Sequence, residues 1–302
     1  MTPSPDPSLS AAPRDRPPLP LYVKASVAWH GAAAVATIAN PLLWPWALGA
    51  VVLNHVVITL GGLWPRSRWL GPNLVRLPAE ARARGEVALT IDDGPDPEVT
   101  PRVLDALDAL GLRATFFCIA ARAREHPALL REIVLRGHSV QNHSLDHAVW
   151  FSTFGYAALD REITASQAAF ADLLGEAPAF FRAPAGLRNP LLPIVLARRG
   201  LALVSWTRRG FDTVRGDAPR VLASLADGLA AGDILLLHDG PAARDAAGEP
   251  VLLGVLPARA RAIAAKGLVA VTLPAAMATS TAAPAGPVPP HAALGTGATL
   301  HP

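Results

Sequence analysis

From Glu86 to about Leu273 the chain alternates two rhythms of apolar and polar positions. Short apolar runs rich in β-branched and aromatic residues read as strands at 87–91, 114–119, 139–140, 179–181, 201–205, 234–237 and 268–272. Between them, segments with apolar positions every three or four residues read as helices at 100–110, 127–136, 157–174, 190–199, 219–230 and 252–266. Strand and helix in strict alternation predict a parallel sheet with helices packed outside it. About seven such units predict an α/β fold, a distorted (β/α) barrel that is closed or nearly so.

The pattern upstream is different. No Asp, Glu, Lys or Arg occurs from Ala25 to Pro65. A membrane helix needs about 20 apolar residues, so this stretch suffices for one span or for two tight ones. Asn40-Pro41 is the natural break. The second half is the better span, with Trp44, Trp46 and Trp64 near its ends, where indoles favour the membrane interface. Asn54 and His55 inside it are expected to face the other helix or the catalytic domain. The expected organisation is a disordered leader at 1–20, a membrane segment of one or two helices at 21–66, a linker at 67–85, a catalytic domain at 86–273 and a disordered tail at 274–302. The expected location is the cell (inner) membrane, with membrane lipid as a partner. Lys24 precedes the segment, and Arg66, Arg68 and Arg76 follow it. A hairpin puts the domain inside under the positive-inside rule and a single span puts it outside, so the side stays open.

Composition supports the membrane reading: 51% of the 302 residues are hydrophobic and 17% charged. A formal charge of +3, from scattered basic residues, gives no footprint for nucleic acid. Cys118 is the one cysteine, so no intrachain disulfide forms, and its apolar run reads as a buried strand.

Polar groups collect just past the predicted strand ends. Asp92 and Asp93 follow the first, His143 and His147 the third, Arg182 the fourth, Asp212 the fifth and His238 the sixth. In a parallel barrel these ends share one face, where active sites sit. Two adjacent carboxylates repel, so a buried pair needs a cation or an acid–base task; an ordinary acidic turn is the plain alternative. His143 and His147 on one helical turn would share a face suited to zinc or a similar divalent ion; two capping or core histidines are the alternative. Arg182 after an aromatic strand end can hold a carboxylate bidentately. His238 ends an apolar strand beside Asp239, a setting that serves proton transfer or a satisfied core histidine.

Together these segments resemble the polysaccharide deacetylase family (the NodB-homology, carbohydrate esterase family 4 type). Thr90-Ile91-Asp92-Asp93-Gly94-Pro95 is similar to the family's TFDDGP, with Ile for Phe. His143 to His147 matches H-[ST]-x-x-H, Arg182-Ala183-Pro184 matches R-x-P, and Leu236-Leu237-His238 matches L-x-H. The resemblance implies that Asp93, His143 and His147 hold a divalent metal, usually Zn2+, with Co2+, Ni2+ or Mn2+ also suitable. It implies Asp92 as general base, Arg182 as its orienting partner and His238 as general acid. Two departures stand out. Ala185 replaces an aromatic after R-x-P, although its backbone N–H could still serve an oxyanion. In the segment after Trp206, Asp212 keeps the offset expected of a residue supporting His238, while Arg209 replaces an Asp and Thr213 a Trp. The implied activity is removal of N-acetyl groups from an amino-sugar polymer or oligosaccharide, with Ala185 and Leu236 at the substrate and oxyanion side. The rivals are deacylation of a different amide or lipid-linked substrate, and a non-catalytic membrane-anchored sugar-binding protein.

Overall fold

The computed structural model describes residues 19–240 and 242–278. The expected leader and the end of the expected tail lie outside them. Two helices come first, α1 (Leu21–Ala39) and α2 (Trp44–Leu63). They fold back on each other at Asn40, whose side chain accepts the Leu42 N–H and starts a single 3-10 turn. By length and mean hydropathy (1.7), Pro41–Leu63 is a candidate membrane span. Asn54 faces α1, donating to Ser26 Oγ at 2.7 Å and accepting from Tyr22 at 3.2 Å. His55 meets His30 edge to face, with 5.1 Å between ring centres.

The barrel is built from α3 (Ala79–Ala83), β1 (Glu86–Asp92), α4 (Val99–Ala109), β2 (Thr115–Cys118), α5 (Ala120–Glu125), α6 (Pro127–Leu135), β3 (Ser139–Asn142), α7 (Tyr156–Leu174) and β4 (Phe180–Phe181). It continues with α8 (Leu192–Arg198), β5 (Ala202–Leu203), β6 (Arg208–Arg209), α9 (Ala218–Ala226), β7 (Ile234–His238), α10 (Val251–Ala265), β8 (Val269–Val271) and α11 (Leu273–Met277). Seven strands form one curled parallel sheet in the order β5-β4-β3-β2-β1-β7-β6. This is the distorted α/β barrel expected, with one difference in its strands. The sheet's edge strand β6 went unread in the sequence, and β8 lies off the path, pairing only with the first half of β1. Arg208 and Arg209 do not look like a strand; the tertiary structure makes one by pairing them with Leu235 and Leu236. Arg208 is neutralised by Asp233 at 2.6 Å.

Strand alternation sorts the core. Val87, Leu89 and Ile91 of β1 and Leu235 and Leu237 of β7 face the outer helices in one large apolar cluster. Ala88 of β1 and Ile234 and Leu236 of β7 belong to a separate inner cluster with Phe117 and Trp206. The central strands β1, β2 and β7 are buried on both faces, as a parallel sheet requires. The sheet's two ends, β5 and β6, are joined by only four residues, and the seam is covered by the segment read as a linker. Leu74 bridges to Val204, the Leu77 N–H donates to the Gly232 carbonyl, and Leu70, Leu77 and Ala81 are buried. Those four residues pack 67–85 onto the barrel rather than leaving it as a spacer.

His138 is a buried structural group. Its Nδ1 accepts the Ala114 N–H at 3.2 Å, and its Nε2 has no partner among the described residues. Burial, followed by the charge of Arg113, pushes the ring's pKa down to about 4. The unfolded chain binds this proton from about pH 6.5 downward and the folded chain only near 4, so the contribution of His138 is intact above 6.5 and is lost as pH falls to 4. Thermal unfolding across that window is expected to show a smaller acid loss for His138→Gln than for the parent chain; parallel curves would refute the assignment.

Candidate active site

The C-terminal ends of β1, β3, β4 and β7 surround a cavity of about 190 Å³. Asp92, Asp93, His143, His147, Ala185, Leu236 and His238 line it, together with Gly186, Trp206, Arg209 and Thr213. Of the residues singled out in the sequence, Arg182 and Asp212 stand one layer behind the wall.

Asp92 is the last residue of β1 and points inward with Ala88 and Thr90. Its carboxylate receives the Arg182 guanidinium at 2.6 Å. Arg182 is 1% exposed. It also donates to Thr90 Oγ1 at 2.8 Å and to the carbonyls of Ser205 and Val204 at 3.0 and 3.4 Å. The guanidinium lies 4.0 Å above the Phe117 ring centre. It is therefore held from several sides and presents one fixed edge to Asp92.

Asp93 leaves the strand with φ 80, which turns its side chain away from that of Asp92. Its Oδ1 lies 3.2 Å from His143 Nε2 and 3.4 Å from His147 Nε2. The three ligand atoms lie within 4.8 Å of one another. The His143–His147 segment is not the helical turn expected. Ser144 and His147 both have positive φ, Asn142 Oδ1 accepts the Ser144 N–H, and Ser144 Oγ accepts the His147 N–H. These bonds curl a loop that brings the two imidazoles together, tilted, with 4.9 Å between ring centres. Non-glycine residues with positive φ among those described are Asp93, Ser144, His147, Ala185 and Phe211, all in or next to this site. Backbone strain gathered in this way is characteristic of functional sites.

The three side chains fit a divalent cation. His143 Nδ1 lies 2.8 Å from the Arg182 carbonyl, so Nδ1 carries the proton and Nε2 turns its lone pair toward Asp93. Asp93 Oδ1 is buried with no hydrogen-bond donor, so lone pairs face lone pairs across a small gap. The electrostatics agree. Burial pushes His143 down, but the charges of Asp92 and Asp93 outweigh it and its pKa rises. Burial pushes Asp93 up, yet the neighbouring His143, His238 and His147 hold it well below the carboxylate range. Burial and the neighbouring His143 keep His147 low, hence neutral and free to donate a lone pair. The site calls for positive charge.

His238 ends β7. Asp212 accepts both its backbone N–H at 2.7 Å and its Nδ1 at 3.0 Å. Asp212 thus fixes the tautomer and leaves Nε2 free. Burial lowers the imidazole pKa, but the Asp212 contact more than offsets this and raises it. The carboxylate that sets His238 is therefore Asp212, not its sequence neighbour. Asp239 turns the other way, takes the Thr100 hydroxyl at 2.6 Å and packs under Gly94, where a β-carbon would collide with it. Burial pushes its carboxyl up to about 7. Sequence reasoning missed this role because Thr100 is 139 residues away.

Fold and site together are those of the NodB-type α/β barrels. A polysaccharide deacetylase profile matches residues 79–204. The chain is 36% identical over 154 residues to a chitooligosaccharide deacetylase of Bradyrhizobium sp., covering 51% of this chain and 70% of that one. It is 33% identical over 156 residues to a peptidoglycan-N-acetylglucosamine deacetylase of Bacillus cereus, covering 51% and 72%. A family 4 carbohydrate esterase from Streptomyces lividans, solved in complex with acetate, superposes with a TM-score of 0.56 at 35% identity, covering 62% of this chain and 91% of that one. The chain belongs to the polysaccharide deacetylase family and is an enzyme of that class.

Arg182→Met leaves the buried Asp92 charge without its partner. It is expected to cost about 3–5 kcal/mol in chemical denaturation, with part of that recovered when Asp92→Asn is added. No recovery in the double variant would show that Arg182 acts through its carbonyl contacts instead.

Proposed function

We propose that the enzyme removes the N-acetyl group from an N-acetylated amino sugar, as a unit of chitooligosaccharide, peptidoglycan or a lipid-linked glycan, with a divalent metal held by Asp93, His143 and His147. The observation that carries this reading is the convergence of that triad with Asp92 and His238 on one cavity. Zn2+ suits one carboxylate and two imidazoles best, with Co2+, Ni2+ and Mn2+ as substitutes. A cation bound there supplies Lewis-acid polarisation of the acetyl carbonyl and of water.

The chain's own residues supply the rest. Asp92, aimed by Arg182, takes the proton of the attacking water. The water oxygen bonds to the acetyl carbon, and the Ala185 backbone N–H, on a strained turn at the cavity wall, faces the oxyanion. His238 gives its Nε2 proton to the nitrogen as the C–N bond breaks, releasing acetate and a free amine. Leu236, inward-facing two residues before His238 on the same strand, forms the apolar floor under the methyl group.

The α1–α2 hairpin anchors the enzyme in the cell membrane in this reading. Its supports are the candidate span and the exposed Leu42, Trp44, Trp46 and Leu53. The Arg188 N–H donates to the Gly62 carbonyl, so the end of α2 abuts the loop that carries Ala185. A membrane-resident acetylated glycan would be presented at that point.

The test is acetate release by the detergent-solubilised full chain from chitooligosaccharides and peptidoglycan fragments, with Zn2+ and then with chelator. Release that ends with chelator is expected, and release indifferent to chelator would sink the metal reading. Asp93→Asn is expected to lose both metal and turnover. Asp92→Asn is expected to keep the metal and lose about 10²–10⁴-fold in rate; equal metal loss in the two variants would refute the division of roles. Asp212→Asn removes the contact that raises the His238 pKa, so the alkaline limb of the rate–pH profile should move to lower pH. An unmoved limb would remove His238 as the acid.

A further inference from the structure

The two-residue strand β6 carries two arginines with opposite fates. Arg208 is spent, on Asp233 and on the carbonyls of Asp227 and Gly228. Arg209 lines the catalytic cavity. Among the described residues it has no carboxylate within ion-pair distance and no hydrogen-bond acceptor, and its Nε is buried without a partner. Its guanidinium lies 5.5 Å from the Trp206 ring and 5.2 Å from the Phe211 ring.

Aromatic faces hold a guanidinium by its charge and consume none of its N–H donors. The Arg209 side chain is therefore positioned with its hydrogen-bonding capacity unused, in a cavity whose other permanent charges are carboxylates. Asp92 and Asp93 do not draw it in: Asp92 is taken by Arg182 and Asp93 by the two imidazoles. A partly buried guanidinium without acceptors is costly unless something completes it. A planar fork of N–H groups is complementary to a carboxylate or a phosphate.

We propose that Arg209 binds an anionic oxygen group, a phosphate or a carboxylate, carried by the acetylated sugar, and so selects acidic over neutral substrates. This rests on the deacetylase reading for the reaction but not for the binding. Thr213, on the same wall, offers a hydroxyl to the same group.

The experiment uses the full chain in detergent with Zn2+ and three probes: neutral N-acetylglucosamine, N-acetylglucosamine 1-phosphate and N-acetylmuramic acid. Calorimetric affinities and acetate release are both read. At least one acidic sugar is expected to bind tenfold or more tightly than the neutral one. That ratio is expected to fall severalfold in Arg209→Gln, to survive in larger part in Arg209→Lys, and to shrink with added salt. Whichever probe shows the preference identifies the anion. An unchanged ratio in Arg209→Gln, or no preference for either acid in the parent, overturns the proposal, and using the ratio removes any general damage to the site. Asp92→Asn protein serves as a non-turning-over control for the affinities. An intact Arg209-dependent preference with no acetate released from any sugar supports the anion site and sinks the deacetylase reading.

Discussion

Two carboxylates on consecutive residues, both nearly buried, repel each other strongly. The structure resolves that repulsion by sending the two into different surroundings. Asp92 remains on the inner face of β1 and is met by Arg182. Asp93 leaves the strand in a left-handed conformation and turns to the two imidazoles. Much else follows from this separation. Arg182 must be rigid to serve, and its bonds to the Val204 and Ser205 carbonyls tie β4 to the chain leaving β5. Its own carbonyl fixes the His143 tautomer, so a single residue holds Asp92 on one side and orients the His143 ring on the other. In the proposed reaction, the same separation lets two chemically identical side chains take different work.

The alternation of strands and helices was legible because the central strands are buried on both faces and the long helices around them on one, so apolar spacing reports them directly. The convergence of Asp92, Asp93, His143, His147 and His238 was legible for a related reason: in a parallel sheet, position after a strand end translates into position on one face. What was not legible depends on contacts distant in the chain. Strand β6 exists because β7 offers it a partner, and its arginines carry no local strand preference. The turn at His143–His147 looks helical by spacing, yet the Asn142 and Ser144 side chains capture the backbone N–H groups that a helix would use. Residues 67–85 read as a spacer because Pro and Arg interrupt their pattern, while Leu70 and Leu77 find burial at the open seam of the barrel.

The hairpin and the cavity are mechanically connected. Gly62 approaches the backbone of Arg188 so closely that a β-carbon would collide with its carbonyl oxygen. Pro65 sits against Gly186, and its carbonyl accepts the Ser205 hydroxyl. The loop bearing Ala185 is thus clamped between the end of an apolar helix and the Trp206 ring. In the membrane reading this places the site at a fixed height over the bilayer, so reach would be limited to substrates held near the surface.

Charge balance connects that geometry to selectivity. With a divalent cation on Asp93 and the Asp92–Arg182 pair neutral, the cavity wall carries a net positive charge even before Arg209 is counted. A neutral acetylated sugar brings nothing to offset it. An acidic one does, and the offset increases where water is scarce, because charges interact more strongly at low effective dielectric. On that proposal, an arginine at this wall position changes which sugar is admitted without entering the proposed proton transfers between Asp92, water and His238. In these proposals reaction and recognition fall to different strands of the sheet, β1 and β7 for the first and the edge strand β6 for the second, so the substrate could change while the chemistry stays the same in kind.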